Sequence, residues 1–197
     1  MLPIEKRIKT KKQLLETLAL ERAKYRTKSG WIYYWLQISE NAILARHAVL
    51  LRKAEYHCNT GHKLRALWYK TLLKRLQLKY GLIVPLNTCE TGFKIVHLGH
   101  ILISHHCQVG KNCSFHINTA LVAKGPTHQA PILGCGVVVG VGAAIVGGVR
   151  IADNVAIGAN AVVTKDILEE NIAVAGNPAK KISNSGRLTW NVKSQQD

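Results

Sequence analysis

Acidic residues are scarce in this chain: 11 Asp and Glu stand against 27 Lys and Arg in 197 residues, a formal charge of +16. Cysteine pairing is missing too. The five cysteines (Cys58, Cys89, Cys107, Cys113, Cys135) are odd in number and contain no CxxC. That argues against a disulfide framework or a zinc ribbon and points to a reducing, cytoplasmic setting. No apolar segment follows the basic start, and the most apolar stretch, Val137 to Val149, is short and rich in glycine. Neither an export signal nor a membrane span is expected from such runs. At this length the chain can bury a sizeable core without cross-links.

The charge is unevenly placed. Residues 1–80 hold 18 Lys and Arg against five Glu and no Asp, and residues 81–197 add only +3. A surface this basic attracts polyanions, whether nucleic acid, anionic lipid, acidic polysaccharide or a phosphorylated cofactor. Three helical patterns fill the basic part. Leu14, Leu15, Leu18 and Ala23 recur at helical spacing between Lys12 and Lys28, before Ser29 and Gly30. Ala42, Ile43, Ala45, Val49, Leu50 and Ala54 form a second stripe behind Ser39, whose hydroxyl suits an N-cap. Leu64, Leu67, Trp68, Leu72 and Leu76 form a third, ending at Gly81. Trp31, Tyr33, Tyr34 and Trp35 lie between the first two helices. They read as packing aromatics, because no nucleic-acid motif accompanies them. No nucleic-acid partner is expected, and contact with a membrane surface through the basic helices stays open.

Beyond Gly81 the period changes to six. Ile103, Val109, Phe115, Leu121, Leu133, Val139, Ile145, Ile151, Ile157 and Val163 share one phase, and the residues four places later are mostly small or β-branched. A six-residue period cannot be an α-helix; it suits short strands that turn a corner every sixth residue, three sides to a coil. Coils of this kind bury their apolar column only by stacking. The fold expected is therefore mainly β, a parallel β-helix over residues 81–182, preceded by a basic α-helical domain over 1–80 and followed by a tail, 183–197. Between Lys124 and Pro131 the pattern lapses and resumes in phase, which predicts a loop leaving the prism.

Two segments carry a family likeness. Gly92-Phe-Lys-Ile-Val-His97-Leu-Gly99-His-Ile-Leu-Ile103 resembles the active-site coil of serine acetyltransferases and of their relatives in surface-polysaccharide biosynthesis. Gly158-Ala-Asn-Ala-Val-Val-Thr164-Lys165-Asp166, with Ala175-Gly-Asn-Pro178-Ala-Lys180, resembles the end of the left-handed β-helix in acetyl-CoA-dependent hexapeptide-repeat enzymes. The resemblance covers about residues 80–182. It implies acetyl-CoA as co-substrate, no metal, and a homotrimer or dimer of trimers with active sites between prisms. It makes His97 the general base and places His128 near the acceptor. It also sets Gly140, Ala143, Ala159 and Ala161 along the pantetheine arm, with Thr164, Lys165 and Lys180 near the nucleotide phosphates. Chemistry independently favours His97: it falls in the aliphatic phase, and imidazole suits proton transfer near neutrality.

The chain also departs from that pattern. The aspartate that precedes the catalytic histidine and holds the amino acid is Val96 here. The aspartate that orients the histidine would fall near Leu82, and Glu90 is the nearest acid in sequence. These departures point to a sugar hydroxyl in capsule or surface polysaccharide biosynthesis as acceptor, with serine O-acetylation as the alternative. Two other classes compete. One is a zinc hydratase using His97, His100, His105, His106 and His116, which cannot converge within one subunit because they lie on different prism sides. The other is a non-enzymatic β-helix that binds an acidic partner.

Overall fold

The computed structural model describes residues 1–25, 39–125 and 129–187. Trp31, Tyr33, Tyr34, Trp35 and His128 therefore lie outside the described residues, as does the tail beyond residue 187. A short 3-10 turn, Ile4–Lys6, precedes α1 (Lys11–Ala23). Thr10 and Gln13 cap α1 reciprocally, each side chain accepting from the other's backbone N–H. This helix ends at Ala23, short of the Lys28 boundary read from the spacing. α2 (Glu40–Asn59) starts on Ser39, whose hydroxyl accepts from Ala42 N–H at 3.2 Å as expected. α3 (Lys63–Tyr80) stops at Gly81, whose φ of 70° is the left-handed conformation that lets the chain turn straight into the first coil.

Fourteen short strands follow among the described residues, numbered along the chain. They form three faces of a prism. Face A stacks β1 (Leu82–Ile83), β3 (Ile101–Ile103), β6 (Thr119–Val122), β9 (Ala144–Val146) and β12 (Val162–Val163). Face B stacks β4 (Gln108–Val109), β7 (Ile132–Leu133) and β10 (Arg150–Ile151). Face C stacks β2 (Lys94–Ile95), β5 (Ser114–Phe115), β8 (Val138–Val139), β11 (Ala156–Ile157), β13 (Ala173–Ala175) and β14 (Lys180–Ser183). All pairings are parallel except β13 with β14.

The ten apolar hexad residues are all buried, at 3 % exposure or less, and they stack as the period predicts: Ile103 over Leu121, Leu121 over Ile145, Ile145 over Val163. Burying an aliphatic side chain contributes about 1.5–3 kcal/mol, so this column is the main apolar term of the prism. Left-handed residues recur at the corner between faces C and A, at Asn118, Gly142 and Asn160, where the chain must bend sharply.

Two sequence readings need correction. His97 is not in the aliphatic phase. Ile95 is the residue that pairs with Phe115, and Ile95 fills the core position. The first coil is thus longer than the regular one by the two positions that separate Ile95 from His97. That extra length widens the corner after β2 and pushes His97 outward, leaving its side chain 61 % exposed. The third helix, moreover, buries only Leu76, and Leu72 in part, of the face expected. Ala66, Leu73, Leu76 and Gln77 point inward, whereas Leu64, Leu67 and Trp68 are 85, 65 and 64 % exposed. The helix carries two apolar stripes, and the one that packs against α2 includes Tyr69, whose ring stacks on His57 at 5.3 Å between centroids. Leu15 of α1 is likewise exposed, while Leu14 and Leu18 are buried.

One buried histidine makes the helical part sensitive to pH. His47 of α2 is 1 % exposed, and burial followed by the charge of Arg52 lowers its pKa from 6.5 to about 4. The unfolded chain therefore binds more protons across that window, so folding stability is complete above pH 6.5 and is lost as pH falls toward 4. The expected loss is about 3 kcal/mol. Urea midpoints measured across this range should show it, and His47→Gln should flatten the slope; an unchanged slope would assign the acid sensitivity elsewhere.

Candidate active site

The corner between faces C and A collects the chemistry. Parallel pairing puts His97, Ile117, Val141, Ala159 and Gly176 at one register position on successive coils. At about 4.8 Å per strand, Ala159 lies about 14 Å along this edge from His97. Lys180 pairs with Ala175 beside the same edge, two strands further on. Small or apolar residues thus line a straight run from an exposed imidazole to an exposed lysine. Ile117 and Val141, the latter 39 % exposed, carry no signal of this role in the sequence. Only the observed register reveals them.

Glu40 holds His97. Its Oε1 lies 3.5 Å from His97 Nδ1 and also accepts from Leu98 N–H. The carboxylate sits in the first turn of α2, directly after the N-cap, where the helix dipole favours negative charge. A carboxylate beside Nδ1 favours the tautomer that carries its proton there, which leaves Nε2 to act as a base. Glu90, the acid nearest in sequence, has a different role: it is buried and paired with Lys6 at 2.8 Å. Sequence reading cannot find Glu40, because an acidic residue after an N-cap serine is ordinary helix-start chemistry.

His116 is the second imidazole of this corner, with ring centroids 6.3 Å apart from His97. Burial lowers its pKa, followed by the nearby His97 and Lys94. His105 and His106 belong to the other end of face A, after β3. Among the described residues no group of three or more His, Cys, Asp and Glu could hold a metal ion.

The cofactor residues expected from the sequence divide into three groups. Ala143 and Ala161 are 0 % exposed inside the prism and present no surface to a ligand, which corrects their assignment to the pantetheine arm. The small residues of that phase relieve crowding at the corner. Gly140 is buried as well, and a Cβ there would lie 2.7 Å from the Ile157 carbonyl oxygen of the next coil, so its reason is coil stacking. Ala159 and Lys180 are exposed on the His97 edge, whereas Thr164 and Lys165 are exposed after β12, at the opposite edge of face A. The expected loop is rooted at that opposite edge. Lys124 N–H donates to the Gln129 carbonyl at 2.9 Å, and Leu121 pairs with Ile145 although one additional hexad separates them in sequence, so the loop absorbs the surplus. The width of face A therefore separates His97 from the root of the loop that contains His128.

No family model matches the chain. A stretch of 92 residues, 46 % of the chain, is 37 % identical to the mitochondrial serine acetyltransferase 3 of Arabidopsis thaliana and spans 23 % of that relative. The fold is that of serine acetyltransferases. A serine acetyltransferase solved with cysteine superposes with a TM-score of 0.66 at 17 % identity, covering 88 % of this chain and 71 % of the other. The Neisseria gonorrhoeae serine acetyltransferase gives 0.61 at 21 % identity, with 88 % and 68 % covered. A serine acetyltransferase in complex with CoA gives 0.61 at 17 % identity, with 87 % and 71 % covered. The three helices expected from the apolar spacing, the parallel β-helix expected from the repeat and the left hand implied by the resemblance are thus the observed architecture.

Proposed function

We propose that this protein transfers an acetyl group from acetyl-CoA to a hydroxyl, with His97 as the general base. The observation that carries the reading is an exposed imidazole, 3.5 Å from a carboxylate, at the start of a straight edge of small or apolar residues. The imidazole takes the proton of the acceptor hydroxyl as its oxygen attacks the thioester carbonyl. The C–S bond then breaks, and the proton passes to the leaving thiolate. Ile117, Val141 and Ala159 offer a surface against which an extended thiol arm can lie, and Lys180 offers charge for its phosphates.

Serine is the acceptor that we favour. The similar proteins are serine acetyltransferases, and the case for a sugar rests on the carboxylates missing at Val96 and near Leu82. Glu40, 42 % exposed beside His97, supplies a carboxylate from the helical domain instead. It can attract a substrate ammonium as well as orient the base. His128 would join this site from a neighbouring copy, since its loop leaves the opposite edge of face A. The same neighbour would bring Thr164 and Lys165, so a trimer with sites between prisms is part of the proposal.

The test is thiol release from acetyl-CoA by the purified protein, with L-serine or with saccharide acceptors. Release is expected with serine. Glu40→Gln should raise KM for serine by about tenfold or more, the worth of a hydrogen bond to a charged group, and should lower kcat as well. Release with a saccharide and not with serine would reverse the acceptor assignment, and release with neither would end the transferase reading.

A further inference from the structure

The outward stripe of α3 is unlike the rest of the helical surface. At 100° per residue, Leu64, Leu67, Trp68, Thr71 and Leu78 fall within an arc of about 100° on the side away from α2. Leu64, Leu67, Trp68 and Leu78 are 64–85 % exposed. Between Lys63 and Tyr80 there are six Lys and Arg and no acid. The cations flank the stripe, with Lys63, Lys70 and Lys74 along one border, Arg65 and Lys79 along the other, and Arg75 within it. No ion pair among the described residues uses any of them. Next to the stripe, Leu67, Leu78, Pro85 and Leu86 line an apolar groove of about 480 Å³ edged by Lys70 and Lys74.

Charge decides what can cover this face. A second copy packed face to face would set six cations against six, and lysine is depleted in the cores of protein interfaces. Solvent alone would leave three leucines and a tryptophan wet. A surface that is both apolar and negatively charged satisfies both requirements. Leucine and tryptophan side chains enter the boundary between headgroups and acyl chains, while lysines at the border extend their stems and keep their charges among the phosphates. None of the described helices is long and apolar enough to cross a membrane, so the contact is with a surface.

We propose that the outward face of α3 docks this protein onto an anionic lipid bilayer. The proposal is independent of the acetyl-transfer reading, because it uses no residue of the His97 edge.

Co-sedimentation of the full chain with phosphatidylcholine vesicles, and with vesicles in which about a third of the lipid is phosphatidylglycerol, tests it directly. The protein should bind the anionic vesicles, lose that binding at high salt and leave the neutral ones in suspension. Lys70→Glu with Lys74→Glu should weaken partition by about 25-fold or more, and Leu64→Ala with Trp68→Ala by about tenfold or more. These side chains are exposed, so circular dichroism and melting temperature should match the parent. Absent binding, equal binding to neutral vesicles, or variants that bind like the parent would each overturn the proposal. So would sedimentation velocity showing that the Leu64 and Trp68 substitutions take an assembly apart, since that would make the face a contact between copies.

Discussion

His97→Ala should reduce kcat for thiol release by about 10²–10⁴-fold, the usual contribution of a positioned general base, and should leave folding untouched. The two expectations separate because of where His97 sits. Its side chain is 61 % exposed, outside the apolar column, and its polar neighbour is a carboxylate on the helical domain. Truncating it opens no cavity and strands no buried group. In the proposed reaction the acceptor hydroxyl is a poor nucleophile until its proton leaves, and His97 is the base that the Glu40 carboxylate orients on this edge. The substitution therefore removes an interaction made in the transition state and little of the ground-state binding, so KM for acetyl-CoA should stay near the parent value. A variant that keeps kcat within about threefold of the parent, a change of less than 1 kcal/mol in barrier, would take His97 out of the mechanism. His116, the neighbouring imidazole of the corner, would then be the candidate base.

The prism is readable in the sequence because its signal is periodic and redundant. Ten apolar residues in one phase leave one architecture that buries them all, and a lapse at Lys124 that resumes in phase has to be an excursion. The same redundancy misleads at His97. Counting in sixes from Ile103 back to His97 assumes a corner of regular length, whereas the corner after β2 is longer, so the core position belongs to Ile95. Ala143 and Ala161 fail for a related reason: small residues at prism corners serve packing and cofactor contact equally well in sequence, and only the direction of the side chain distinguishes them. Glu40 is out of reach because it meets His97 from a distant part of the chain, through the docking of one domain on another. α3 offers two stripes of similar hydrophobicity, and periodicity alone cannot say which one faces inward.

Arg52→Ala should destabilise the protein by about 3–5 kcal/mol, the cost of leaving buried carboxylates without their cation. Arg52 is 2 % exposed in α2, and all five of its N–H groups are used. Nε and one Nη reach both oxygens of Glu21, at 2.7–3.1 Å; the other Nη donates to Glu55 at 2.8 Å and to the Cys89 carbonyl at 2.8 Å; and the fifth N–H donates to the Glu90 carbonyl at 2.9 Å. The carboxylates also accept from the first coil, Glu21 from Gly92 N–H at 3.0 Å and Glu55 from Asn87 N–H at 2.8 Å. An isolated buried ion pair can often be exchanged for apolar residues at no cost, but this one cannot. Replacing Arg52, Glu21 and Glu55 together with apolar residues would orphan two carbonyls and two N–H groups of the coil, so the triple variant should remain destabilised by several kcal/mol. A triple variant as stable as the parent would show that the cluster is dispensable. Arg52→Lys keeps the charge but loses the planar fork, and should fall between parent and alanine. The cluster matters for the site as well, because α2 carries both Arg52 and Glu40. A helical span of about 18 Å, at 1.5 Å per residue, connects the anchor on the first coil to the carboxylate at His97. Loosening the anchor should therefore lower kcat in the fraction that remains folded, with Glu40 moving away from the imidazole that it positions.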